Sequence, residues 1–237
     1  MNTSKREHEP AEAAKVVSAE SKYWNNFYAK FNVAIPSQFC VLTASEADKT
    51  KPVIEFGCGN GRDSIYLARI GFKVYSGDLS EEVITHNIKK VDGAENTNPV
   101  QFQLCDVSKA DDVKALVEKA RSENKESCLT LYNRFFLHSL DDDQERAFLT
   151  ALSKVTVAGD VLYMEYRCTL DSQVDKLYKG HYRRYVDTAK LVDTLESELG
   201  FKVSYERTGQ GMAKYKSEDP FVSRLICERL KGEFEKK

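Results

Sequence analysis

The chain has 237 residues, 41% of them hydrophobic and 30% charged, with a net charge of −2. That is the balance of a globular protein with room for one large α/β domain. It excludes a membrane-spanning reading, since no apolar run nears the ~20 residues a bilayer requires, and broad electrostatic binding to nucleic acid, which needs an excess of basic charge.

Met1 to Pro10 is polar and lacks the apolar stretch of a secretory signal. Six cysteines (Cys40, Cys58, Cys105, Cys128, Cys168 and Cys227) form no C-x-x-C pair, which fits reduced thiols in a cytoplasmic protein better than disulfides or a zinc site. No metal site is expected. Residues 1–49 read as an N-terminal helical segment and a candidate lid, with an aromatic cluster at Tyr23, Trp24, Phe27 and Tyr28 and a helix over Gln38 to Ala47 capped by Ser37.

From Pro52 onward, strand-like and helix-like segments alternate. Pro52 to Phe56 is short and apolar, as a strand covered on both faces would be. Gly57, Gly59 and Gly61 follow in a G-x-G-x-G turn, and Arg62 to Ile70 has helical spacing. Further strands are expected at Phe72 to Gly77, Val100 to Cys105, Cys128 to Arg134 and Asp160 to Tyr166, with helices at Ser80 to Lys90, Ser108 to Arg121 and Asp141 to Val157 between them. After the fifth strand the pattern breaks. Residues 167–187, rich in Tyr, Arg and His, read as a substrate-side insertion. A helix over Thr188 to Leu199 and two strands, Phe201 to Arg207 and Phe221 to Arg229, close the chain, the last expected to return antiparallel at the sheet edge.

Alternation at these lengths implies an α/β fold with a parallel sheet covered on both faces. Ligands of such sheets bind beyond the strand carboxyl ends, and Glu55, Asp78 and Asp106 all fall there. The glycine spacing differs from the G-x-G-x-x-G of dinucleotide-binding turns, which argues against a nicotinamide dehydrogenase. Glycines let a backbone approach a ligand closely, and an acid at the strand end suits a ligand with a cationic group.

Glu55-Phe-Gly57-Cys-Gly59-Asn-Gly61, Asp78, Cys105-Asp106-Val107 and Phe136-Leu137-His138-Ser139-Leu140 together resemble the class I S-adenosylmethionine-dependent methyltransferases, over about residues 50–230. The resemblance implies a three-layer Rossmann-like fold: a mostly parallel seven-stranded sheet with one antiparallel strand, in a domain spanning 50–237. It also implies S-adenosylmethionine as cofactor and S-adenosylhomocysteine as product. Carried onto this chain, it has Asp78 accepting from the ribose hydroxyls and Leu79 covering an adenine face. Asp106 and Val107 meet the adenine amino group. Glu55 and the turn of Gly57, Gly59 and Gly61 hold the methionine amino group, with Asn133 and Arg134 completing that end; Asp63 caps the helix or binds the same amino group.

Methyl transfer from a sulfonium demands alignment more than bond-making by the protein, yet an oxygen acceptor needs a base or must arrive ionised. His138, His181 and Glu165 are the candidates. Arg183 and Arg184, with Trp24, Tyr182 and Tyr185, suggest a small anionic substrate, because guanidinium forks match carboxylate and phosphate. The His181-Tyr182-Arg183-Arg184-Tyr185 segment also looks like bacterial methyltransferases associated with surface-polysaccharide biosynthesis. That likeness implies a sugar, nucleotide-linked or phosphorylated acceptor, or a capsule precursor. Two rival readings are a nucleic-acid or protein methyltransferase and a partner or sensor that binds the cofactor without transferring its methyl group. The first lacks the proline-rich segment such nucleic-acid enzymes carry after the fourth strand. The sequence leaves the oligomeric state open.

Overall fold

The structure, a computed structural model, describes residues 33–92, 100–125, 128–176 and 183–231. Trp24, His181 and Tyr182 lie outside the described residues, as do residues 1–32 of the candidate lid.

In chain order the elements are α1 (Gln38–Glu46), β1 (Val53–Phe56), α2 (Arg62–Arg69), β2 (Val74–Asp78), α3 (Glu81–Val91), β3 (Val100–Leu104), α4 (Ala110–Ser122), β4 (Thr130–Arg134), α5 (Asp142–Val155), β5 (Val161–Arg167), α6 (Thr188–Asp193), β6 (Phe201–Gly209) and β7 (Val222–Arg229). The seven strands order as β3-β2-β1-β4-β5-β7-β6. β1 pairs in parallel with β2 and β4, β2 with β3, and β4 with β5, while β7 runs antiparallel to both its neighbours. This is the doubly wound, mostly parallel sheet with one reversed strand that the resemblance implied.

Alternate strand residues face opposite sides of the sheet, and two cores result. On one face Phe39 and Cys40 of α1, Leu67 and Ala68 of α2 and Ile84 of α3 pack on Val53, Val74, Tyr132 and Tyr163. On the other, Val113 and Leu116 of α4, Phe148 and Leu152 of α5 and Leu191 of α6 cover Ile54, Phe56, Leu131 and Met164. Local signals set the helix starts. Ser37 accepts from the Cys40 amide, Ser80 from Val83, and Asp141 forms a capping box with Gln144.

One expectation is corrected. The last strand does not lie at the sheet edge: β7 slots between β5 and β6. The reason is chemical. β7 is buried along its first six residues, whereas β6 is buried only at Phe201 and elsewhere is partly or fully exposed, so the apolar strand goes inside and the amphipathic one forms the rim. The described part of the N-terminal segment is built into the domain. Phe39 and Cys40 are fully buried, and Phe39 stacks on Tyr132 with ring centroids 5.5 Å apart, so α1 is part of the domain's core.

Candidate active site

The site forms where β1 and β4 diverge in strand order, at the carboxyl ends of the parallel strands. Gly57, Gly59 and Gly61 all have positive φ, at 70°, 51° and 71°, in the left-handed region that glycine enters without steric penalty. At Gly57 space adds a second demand, because a Cβ there would lie 2.3 Å from a ring carbon of Phe136. The turn's own donors are mostly spent. Gly57 and Cys58 amides donate to Gly77 O (2.9 and 3.1 Å), Gly61 to Cys58 O (3.0 Å) and Gly59 to Asp78 Oδ2 (2.9 Å). The turn therefore offers a ligand its shape more than its N–H groups. No side chain caps α2 behind it.

Asp78 ends β2, and each of its oxygens accepts from a backbone amide. Besides Gly59, it accepts from the Ser80 amide at 3.0 Å. Burial pushes its carboxyl above the usual range, although these backbone donors pull the other way. Asp106, just beyond β3, is the opposite case. Burial alone would raise it, but the Ser108 hydroxyl (2.6 Å) and amide and Lys109 (3.1 Å) hold it below the usual carboxylate range. The two acids stand on adjacent strand ends, and the cleft they flank is walled by Leu79, Val107, Phe136 and Ser139 with Gly57 at its floor. Leu79 is 47% exposed, an apolar side chain left open at the rim. The acids, Leu79, Val107 and Gly57 are thus brought together as the sequence reading expected.

Glu55 sits beneath this turn rather than in the cleft wall. It is 4% exposed and accepts from the Ser64 hydroxyl, with its other oxygen unpartnered among the described residues. Burial and the neighbouring Asp63 charge raise its carboxyl well above the ordinary range. Asn133, at the end of β4 beside β1, is fully buried, and neither atom of its carboxamide has a partner. Buried amides are seldom left so.

Other expected residues have different work. Asp63 neither caps α2 nor faces the cleft. Its oxygens accept from the Ser37 amide (2.8 Å) and hydroxyl (2.7 Å) and from the Tyr132 hydroxyl (2.9 Å), which bolts α1 to the sheet. Glu165 is fully buried between Arg134 Nε (2.8 Å) and Arg224 Nε (2.7 Å), so both oxygens are committed and it does not stand as a base. Arg134 is spent in the same clamp. His138 is 5% exposed, and its Nδ1 accepts from the Arg167 amide at 3.3 Å. In the neutral ring Nε2 then carries the proton, so the ring joins the β4–α5 turn to β5 rather than offering a base.

Arg184 pairs with Asp142 at 2.6 Å and with Glu145, fastening the insertion to α5. The expectation that both arginines serve a substrate anion fails for Arg184. Arg183 and Tyr185 are half-buried in the segment that returns to the end of β5, where the Val186 amide donates to Arg167 O at 3.0 Å.

Sequence reasoning passed over Phe135 and gave Phe136 no part in the site. Phe135 has φ of 53°, uncommon for a non-glycine residue and most often found at functional sites. Its ring is flanked by the guanidinium groups of Arg134 at 4.0 Å and Arg167 at 5.2 Å. Phe136 closes the cleft over Gly57. The available signal was position: both follow the fourth strand directly.

A family model described as tellurite resistance protein TehB matches residues 20–116, a stretch that holds the glycine turn, Asp78 and Asp106. No curated protein matches the sequence. Among solved structures, a S-adenosylmethionine-dependent methyltransferase from Anabaena variabilis superposes with a TM-score of 0.66 at 16% identity, covering 88% of this chain and 93% of that one. Magnesium protoporphyrin IX methyltransferase from Synechocystis, with S-adenosylhomocysteine bound, gives 0.56 at 16% identity, covering 88% and 83%. A TehB-like methyltransferase from Corynebacterium glutamicum gives 0.55 at 13% identity, covering 88% and 95%. At such identities the likeness shows the class I methyltransferase fold. The family-model match covers the half of that fold that holds the glycine turn and both acids.

Proposed function

We propose that the protein transfers a methyl group from S-adenosylmethionine to a small-molecule acceptor held over the carboxyl ends of β4 and β5. The observation that carries this reading is the pair Asp78 and Asp106 on adjacent strand ends, flanking an apolar slot beside three positive-φ glycines. In this reading Asp78 accepts from the ribose hydroxyls, Asp106 and the Val107 backbone meet the adenine amino group, and Leu79 and Phe136 sandwich the base. Asn133, whose buried carboxamide is unpartnered, and Glu55, bonded through one oxygen to Ser64, serve the methionine end. Its carboxylate finds the uncapped start of α2. The cofactor supplies a methyl group already activated on a sulfonium, so the chain's task is alignment and exclusion of water.

His138 and Glu165 are both committed elsewhere. The acceptor this geometry suits is therefore one that arrives ionised or is a soft nucleophile at neutral pH. His181 remains the sequence's other candidate base. An anionic acceptor now rests on Arg183 and Tyr185, without Arg184. The name of the matched family model ties it to tellurite resistance, so tellurite belongs among the acceptors to test, beside sugar phosphates, nucleotide sugars and capsule precursors.

The test is methyl transfer from labelled cofactor to such a panel by the full chain. Transfer that falls at least 10-fold in Asp78→Asn establishes the reading. Tight binding of S-adenosylhomocysteine with no transfer to any acceptor would favour the second reading, a cofactor-binding partner or sensor, which the commitment of His138 and Glu165 supports.

A further inference from the structure

At the opposite end of the sheet from the cleft, a second cavity of about 460 Å³ opens at the amino ends of β4 and β5. Its floor is the sheet face that carries α1. Thr130, which begins β4, and Tyr163 of β5 lie there, with relative exposures of 1% and 5%. Neither hydroxyl has a hydrogen-bond partner among the described residues. Both side chains line the cavity.

The walls are acidic. Glu46 ends α1, Asp48 follows it, and Glu228 stands near the end of β7. Glu46 and Glu228 come close enough to the Tyr163 phenol to raise it, adding to the larger effect of burial. The carbonyl end of α1, which carries partial negative charge, points the same way, and its last turn holds no basic residue. Lys51 is the one opposing charge among the lining residues, and its ammonium donates to Gly159 O at 3.0 Å.

We propose that this cavity binds a small organic cation, whose N–H donors are accepted by the Thr130 and Tyr163 hydroxyls and whose charge is met by Glu46 and Glu228. The volume lies within the ~300–1,000 Å³ typical of small-molecule sites. A bare metal ion fits less well, because no group of three or more His, Cys, Asp or Glu among the described residues is arranged to hold one. Tyr163 and Tyr205 add aromatic faces of the kind that favour ammonium and guanidinium groups. The site is separate from the cofactor cleft, so the two ligands do not compete.

Titration calorimetry of the full chain with putrescine and with agmatine tests this, one probe carrying ammonium groups alone and the other a guanidinium. The expected result is saturable one-site binding of at least one probe, weakened at least 5-fold by Tyr163→Phe and by Glu228→Gln. Saturating S-adenosylhomocysteine should leave it unchanged. Tyr163→Phe should melt no lower than the parent, since the hydroxyl it removes pairs with nothing, so lost binding cannot be put down to unfolding. Absence of saturable binding by both probes, binding unchanged in both variants, or competition by S-adenosylhomocysteine would overturn the proposal.

Discussion

Glu55 is the residue whose charge this fold accommodates least easily. It is buried, it faces Asp63, and it accepts from the Ser64 hydroxyl, so the folded protein holds its proton to higher pH than the unfolded chain does. The sign follows from linkage. Above an unfolded value near 4.5 the native state binds more protons, so stability falls as pH rises from there through the raised folded value. Glu55→Gln removes that dependence. The variant should melt with the parent at pH 4 and above it by about 2–4 °C at pH 8, the shift ~1 kcal/mol makes in a domain of this size; thermal scans across that range measure it. If Glu55 also meets the cofactor's amino group, S-adenosylhomocysteine affinity drops in the same variant. Asp78→Asn is the sharper cofactor test. Loss of charge-assisted bonds worth about 1.5–3 kcal/mol corresponds to roughly 10- to 100-fold weaker binding by calorimetry. Asp78 and Asp106 could be placed from the sequence because each closes a strand-like run before a helix. Phe135 and Phe136 could not. Phe135 stands out by its positive φ and Phe136 by packing on Gly57, remote in chain order, and no local pattern encodes either.

At the scale of elements, caps and alternation carried most of the fold. Ser37 and Ser80 start helices as read, because a hydroxyl before an acidic or helix-forming run has one favourable task, to accept from the third amide on. The order of β6 and β7 was missed because a connection's length says that two strands pair but not which takes the inside. The contrast between Phe201–Gly209, alternating, and Val222–Arg229, nearly all buried, held that information. The Ser37–Asp63 link was also invisible, joining residues that are remote in sequence. It yields a test that separates architecture from binding. Ser37→Ala removes both the cap of α1 and a hydroxyl donor to the buried Asp63 carboxylate, and should cost about 2–3 kcal/mol by denaturant unfolding. Affinity for S-adenosylhomocysteine should stay within about 2-fold, since Asp63 faces α1. A large affinity loss with intact stability would return Asp63 to the cofactor site.

Across the whole molecule, the carboxyl end of the sheet is braced by ion pairs that a sequence reader takes for substrate charge. Arg134 and Arg224 clamp Glu165, Arg167 joins Asp171 and Glu218, and Arg184 holds Asp142 and Glu145. The Glu165 clamp spans the most structure. It ties β4 to β5 and β5 to β7, and through Arg224, which donates to Met212 O at 2.8 Å, it fixes the β6–β7 connection beside Phe135. A buried pair of this kind adds little net stability over an apolar replacement, but removing one partner strands the others. Glu165→Gln keeps the shape and leaves two buried guanidinium groups facing a neutral amide. It should cost about 3–5 kcal/mol, a large share of the ~5–15 kcal/mol typical of a native domain. The kinetic signature then distinguishes a brace from a base. A brace lowers the rate by loosening the wall around the acceptor, with the pH dependence of kcat keeping its shape; a base would take the ascending limb of the profile with it. Because both Glu165 oxygens already accept from arginine, the expected outcome is an unchanged profile at reduced amplitude, with much of the rate restored at lower temperature, where the weakened wall is still closed.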